Sequence, residues 1–132
     1  MERLTSTLLC REVTDKHPDY FTFDVEDWFS KEGNYALIEG KNISFGEEKS
    51  PGVYWVHFCF DTAKGRDAIR LTQEMFREFC LRCPVRIAAG LILLENKKAR
   101  WLIRQVGFSS LGEVDTKIGR CEMFYATAKD FK

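Results

Sequence analysis

The sequence predicts an α/β domain built on a mixed, mostly antiparallel sheet with helices on both faces. Three observations carry this. Val53 to Phe60 is apolar along almost its whole length, as a strand covered on both faces must be. A long segment with apolar residues at helical spacing follows it, and then a second apolar strand, Val85 to Leu94. A strand, a crossover helix and a second strand require a parallel pair, while the short alternating segments on either side, joined by tight turns, are antiparallel.

The elements follow in order. Residues 1 to 33 form the least regular part, a short helical region in which Asp24 to Glu32 reads as one helix, with acids in its first turn and a stop at Gly33. Asn34 to Glu39 and Ile43 to Glu47 alternate as two strands joined at Gly40-Lys41-Asn42. Ser50-Pro51-Gly52 turns the chain into the central strand, and the polar loop Asp61 to Gly65 leads out of it. The longest helix runs from about Arg66 to Cys80, with an apolar stripe of Ala68, Ile69, Thr72, Met75, Phe76 and Phe79.

Pro84 closes that helix ahead of strand Val85 to Leu94. In Asn96 to Phe108, Ala99, Leu102, Ile103 and Val106 recur at helical spacing between Lys97, Lys98, Arg100 and Arg104, so an amphipathic helix packs on the sheet until Gly107 ends it. Phe108 to Val114 and Cys121 to Thr127 make a final hairpin around Asp115 to Arg120. Length allows one domain, residues 1 to 132.

Forty-five per cent hydrophobic residues, eleven of them Phe, supply a core, and no apolar run approaches the roughly 20 residues of a membrane span. Met1 to Arg11 has neither the apolar centre nor the cleavage site of an export signal. The formal net charge is zero but unevenly placed: residues 1 to 62 carry 6 basic and 12 acidic side chains, residues 63 to 132 carry 14 and 8. Such asymmetry offers a basic surface to an anionic partner, or is met within the fold where the halves face each other.

The five cysteines, Cys10, Cys59, Cys80, Cys83 and Cys121, are odd in number and sit in apolar or helical segments, which suits a reducing cytoplasm. Cys80-Leu81-Arg82-Cys83 closes a helix, whereas a redox motif opens one and uses its N-terminus to stabilise thiolate. With His17 and His57 isolated and no second cysteine pair, a four-ligand zinc site is not expected. His57, a lone histidine in an apolar strand, reads first as a core residue and second as a base.

Asn96, Ala99 and the Gly107-Phe108 pair match the spacing of a family motif, and from about residue 34 to 127 the chain resembles the GCN5-related N-acetyltransferase (GNAT) fold. That resemblance implies a sheet whose central parallel strands splay apart to admit the pantetheine arm of acetyl-CoA. The resemblance covers roughly residues 34 to 127, and the part before it is shorter than the family's usual first strand and two helices. The cofactor-binding residues it implies are Phe60, whose strand supplies a polarising amide, the loop Lys64, Gly65, Arg66, Asp67 and Ala68, and Asn96. Phosphate at a helix N-terminus meets unpaired amides and the positive end of the dipole, and glycines let it approach. Asp67 stands where the family has a small residue. Ile103 stands where it often has a tyrosine that protonates the departing thiolate.

His57 and Tyr125 are the candidate catalytic groups, as base and hydroxyl donor. Gly65 to Ala68, the run Ala99-Arg100-Trp101-Leu102 followed by Arg104-Gln105, and the short hairpin also resemble GNAT-like head-assembly or internal virion proteins of short-tailed bacteriophages. This implies a protein-interaction module with no cofactor, acting on other virion proteins in the host cytoplasm or in the virion, with Arg100 and Arg104 as an exposed partner surface. The rival reading is a working N-acetyltransferase that uses acetyl-CoA on a small amine or a lysine. Neutral net charge and the lack of a binding motif argue against nucleic acid.

Overall fold

Seven strands form one sheet in the order β1-β2-β3-β4-β5-β7-β6 in the computed structural model, which describes residues 1–17 and 24–131. The strands are β1 Glu2–Arg3, β2 Asn34–Glu39, β3 Asn42–Ser50, β4 Val53–Phe60, β5 Ile87–Leu93, β6 Ser109–Thr116 and β7 Gly119–Thr127. The helices are α1 Thr7–Thr14, α2 Val25–Ser30, α3 Gly65–Arg82 and α4 Lys97–Val106, and a final 3₁₀ turn covers Ala128–Phe131. Every neighbouring pair is antiparallel except β4 and β5, which are parallel.

The region before residue 34 contains elements beyond the one helix expected there. It holds a first strand, β1 paired to β2, and two helices, so it is complete in elements although short. Ser6 and Asp24 cap α1 and α2 by accepting from the amides of Leu9 and Asp27, and these local caps let such short helices form. Elsewhere the differences are of boundaries. α3 continues to Arg82, β5 begins at Ile87, and the last hairpin turns on Lys117-Ile118.

Side-chain alternation assigns two cores, one on each face. Leu37, Tyr54, Val56, Ala88, Phe124 and Ala126 point to the face covered by α3 and α4, where they meet Phe76, Phe79, Ile103 and Val106. Ala36, Ile38, Ile43, Phe45 and Cys59 point the other way and meet Cys10 and Val13 of α1 and Val25 and Trp28 of α2. The buried stripe of α3 includes Leu71 in addition to the predicted positions, while Ile69 lies at its margin.

α4 ends as its sequence requires. Gly107 has φ of 115°, its amide donates to the Arg104 carbonyl, and the Phe108 amide donates to the Ile103 carbonyl. This left-handed stop returns the chain to the sheet as β6.

Candidate functional site

The two parallel strands part. β4 and β5 pair only at Val53↔Ile87, Tyr54↔Ala88 and Trp55↔Ala89. Beyond this β4 stays on β3 as far as Phe60, and β5 stays on β7 as far as Leu93, so each strand is held by its outer neighbour. Every second amide of β4 after Trp55 therefore faces a gap instead of a strand. Gly90 stands at the fork, where a Cβ would lie 3.1 Å from the Val56 carbonyl oxygen. The loops that start α3 and α4 flank the open end.

The first of these loops is tied down by one side chain. Buried Asn42 accepts from the amides of Thr62 (3.0 Å) and Ala63 (3.1 Å) and donates to the Thr62 hydroxyl (3.0 Å) and the Glu39 carbonyl (3.2 Å). Those two amides are spent. The next residues are open: Lys64 caps α3 without a side-chain hydrogen bond, and Gly65 has φ of 55°, with free space where its side chain would be. Lys64, Gly65 and Arg66 are exposed, while Ala68 is buried under the helix. Asp67 does not aim at the loop, because its carboxylate lies 3.3 Å from Arg70 one turn on.

Asn96 caps α4, its side-chain oxygen accepting from the Ala99 amide at 3.3 Å. Phe60 closes β4 opposite Asn42, with its ring edge-on to Phe58. Ile103 is buried among Val106, Phe108 and Phe124 and is part of the core.

His57 and Tyr125 share the sheet face of α1 and α2 but are not brought together. His57, on β4, sits opposite Phe45 of β3, and Tyr125, on β7, sits opposite Ala89 of β5; Ala89 pairs with Trp55, so Tyr125 is in line with Trp55 while His57 lies two residues further along β4, beyond the point where the parallel strands part. Burial pushes the His57 imidazole below its ordinary value of 6.5; Glu47 opposes this and Lys49 adds to it. Glu47 is itself pushed up by burial, but Lys49 and the Trp28 indole (2.7 Å), with His57, hold it low overall. His57 is therefore a neutral base at neutral pH.

This has a measurable consequence for stability. A folded value below the unfolded one means that the unfolded chain takes the proton first. The His57 contribution is therefore complete above pH 6.5 and lost as the pH falls towards the folded value, by at most about 1.4 kcal/mol per unit. Urea unfolding between pH 7.5 and 5.5 should show this loss in the wild type and a smaller one in His57→Phe.

Arg100 and Arg104 are not a free surface. Arg100 Nε donates to Glu122 Oε1 at 2.9 Å, and Arg104 donates to both Glu122 oxygens at 2.7 and 2.6 Å. The Ser110 hydroxyl adds a fourth bond at 2.6 Å, Arg100 also holds the Leu94 carbonyl, and Arg104 lies over the Phe124 ring. The Glu122 side chain is 6% exposed, Arg100 23% and Arg104 47%. The two arginines thus fasten α4 to β7, because a carboxylate facing inward on a strand must be paired. The sequence signal was Glu122 itself, in phase with apolar Phe124 and Ala126.

Two cavities, of about 250 and 320 Å³, lie away from the fork, one lined by Leu4, Phe29 and Asn34, the other by Tyr35, Glu48, Tyr54 and Cys83. All five cysteines are free thiols, and among the described residues no group of three or more His, Cys, Asp or Glu is arranged to hold a metal. No helix of the described residues is long and apolar enough to cross a membrane.

A seven-stranded sheet, a single splayed parallel pair and an uncapped long helix at its open end define the GNAT fold. Solved structures agree. A mutant of the spermidine N-acetyltransferase SpeG from Vibrio cholerae matches with a TM-score of 0.74 at 9% identity, over 95% of this chain and 90% of that one. AAC(6')-Ib in complex with acetyl-CoA matches with 0.68 at 15% identity, over 95% and 89%. The aminoglycoside acetyltransferase AAC(6')-Ib with coenzyme A and kanamycin gives 0.64 at 16% identity, over 82% and 77%. At these identities the likeness establishes the fold. No protein-family model and no curated protein sequence matches the chain.

Proposed function

We propose that this chain is a GNAT-fold protein-interaction module of the virion-assembly kind, whose acetyl-CoA site has lost its catalytic completeness. The observation that carries this is Ile103. At the position that delivers a proton to the leaving thiolate in the family, the chain has an aliphatic side chain sealed into the core, which can donate nothing. The spent amides of Thr62 and Ala63 narrow the phosphate loop further. The assembly role is supported by the sequence resemblance around Gly65 to Ala68 and Ala99 to Gln105.

One feature favours a second reading, an N-acetyltransferase. Gly65, the uncapped start of α3 and the neighbouring Lys64 and Arg66 fit a pyrophosphate, and the central strand carries a neutral imidazole, His57. In that case the amine nitrogen attacks the thioester carbon, His57 accepts the ammonium proton and the thiolate leaves without acid help. Losing such help commonly costs about 10²- to 10⁴-fold in rate.

Calorimetric titration with acetyl-CoA, followed by turnover assays on polyamine and lysine-peptide acceptors, separates the two readings. The interaction reading expects weak binding or none and no turnover above the uncatalysed rate, with Ile103→Tyr gaining no activity. Efficient acetylation that falls on His57→Ala would replace it with the enzyme reading.

A further inference from the structure

The charge imbalance between the two halves of the chain is not met inside the molecule. Among the described residues, every ion pair joins groups of the same half: Met1, Arg11, Lys16, Lys31 and Lys49 pair within residues 1 to 62, and Arg70, Arg82, Arg100, Arg104 and Arg120 pair within residues 63 to 131. The excess charge is therefore left on the surface. Two helices on opposite faces of the sheet carry it in matching form.

Leu8 and Glu12 on α1 and Asp15 at its C-cap lie at i, i+4 and i+7 and make one exposed stripe, with Leu8 69% exposed. Among the described residues neither carboxylate has an ion-pair partner; the cations of this segment, Arg11 and Lys16, are engaged by Glu26 and Asp61. On α4, Lys97, Trp101 and Gln105 lie at i, i+4 and i+8 with Lys98 beside them, and Trp101 is 49% exposed. Among the described residues neither lysine has an ion-pair partner, the nearest acid in sequence being exposed Glu95. Each stripe thus pairs one large apolar side chain with two like charges, and the signs are opposite.

We propose that the α4 stripe of one copy docks on the α1 stripe of the next, giving a head-to-tail association of this chain with itself. A second copy is the partner because the same molecule presents both complementary surfaces. Their placement on opposite faces of the sheet makes the contact heterologous, so it is not closed by a two-fold axis and builds a ring or an open chain of more than two copies. Zero net charge removes the long-range repulsion that would oppose such growth.

Sedimentation velocity across a concentration series, at about 50 mM and about 500 mM salt, tests this, since exposed charge is weakly screened in the first and strongly in the second. The wild type should grow in mass with concentration past the dimer at low salt, with association weakened about tenfold or more at high salt. Lys97→Gln/Lys98→Gln and Glu12→Gln/Asp15→Asn should each be monomeric alone, while their equimolar mixture retains one intact interface and forms a 1:1 dimer. Circular dichroism confirms that both variants are folded. A wild type that stays monomeric, a closed dimer, association indifferent to salt, or a mixture that remains monomeric would each overturn the proposal.

Discussion

Glu122→Ala is expected to lower the unfolding free energy by about 3 kcal/mol, because it strips the counter-charge from two arginines at once. The figure sits at the low end of the usual range for a broken buried pair, since Arg104 can swing into water while Arg100, tied to the Leu94 carbonyl, cannot do so as freely. Denaturant midpoints of the variant and the wild type measure it. Burial pushes the Glu122 carboxyl up, but Ser110, Arg100 and Arg104 together hold it below its ordinary 4.5. Its stabilisation is thus complete above that value and lost as the pH falls through the folded one. Replacing all three charged residues by apolar ones of similar size should recover most of the loss, as hydrophobic isosteres of buried ion clusters commonly do. Failure of that recovery would mean that the charges fix the docking of α4 and not only balance one another.

Phe76→Ala should cost more, about 3 to 5 kcal/mol. Its ring is fully buried and meets Phe131 edge-on at 4.5 Å and Phe108 at 5.3 Å, so its removal opens a cavity between α3, the start of β6 and the final 3₁₀ turn. Those neighbours belong to separate elements, and the void cannot close without moving one of them. Thermal unfolding should show the lowered midpoint, and hydrogen exchange should show protection lost first at Ala128–Phe131, the shortest element leaning on the ring.

The central architecture was legible because its signals are local and strong. The limits of β4 and the glycine stop of α4 are written in runs of one residue class and in single punctuating residues. β1 was not legible, since two residues carry no periodicity, and α1 was hidden because its exposed Leu8 and Leu9 blur its apolar face. At the site, the glycine and lysine of the α3 loop stood out, but the restraint on that loop did not. Asn42 reads as an ordinary turn residue after Gly40, and three of its four hydrogen bonds depend on bringing together residues twenty or twenty-one apart. Arg100 and Arg104 read as an exposed partner surface for the same reason: their partner Glu122 lies on β7, 22 and 18 residues on, and helical spacing says nothing about it.

The sheet's two rims also decide how the protein escapes sticking to itself strand by strand. At one rim β1 is only two residues long, a glutamate and an arginine, too brief and too charged to template a neighbour. At the other, β6 is long and exposed, but the extra residue between Ser110 and Gly112 kinks it, and Glu113 and Asp115 place acids along its outer reach. A newly made chain must hold these rims open while the slow, long-range pairing of β4 with β5 is completed across an eighteen-residue helix. The bulge and the short first strand act during that interval as guards against fibrous growth.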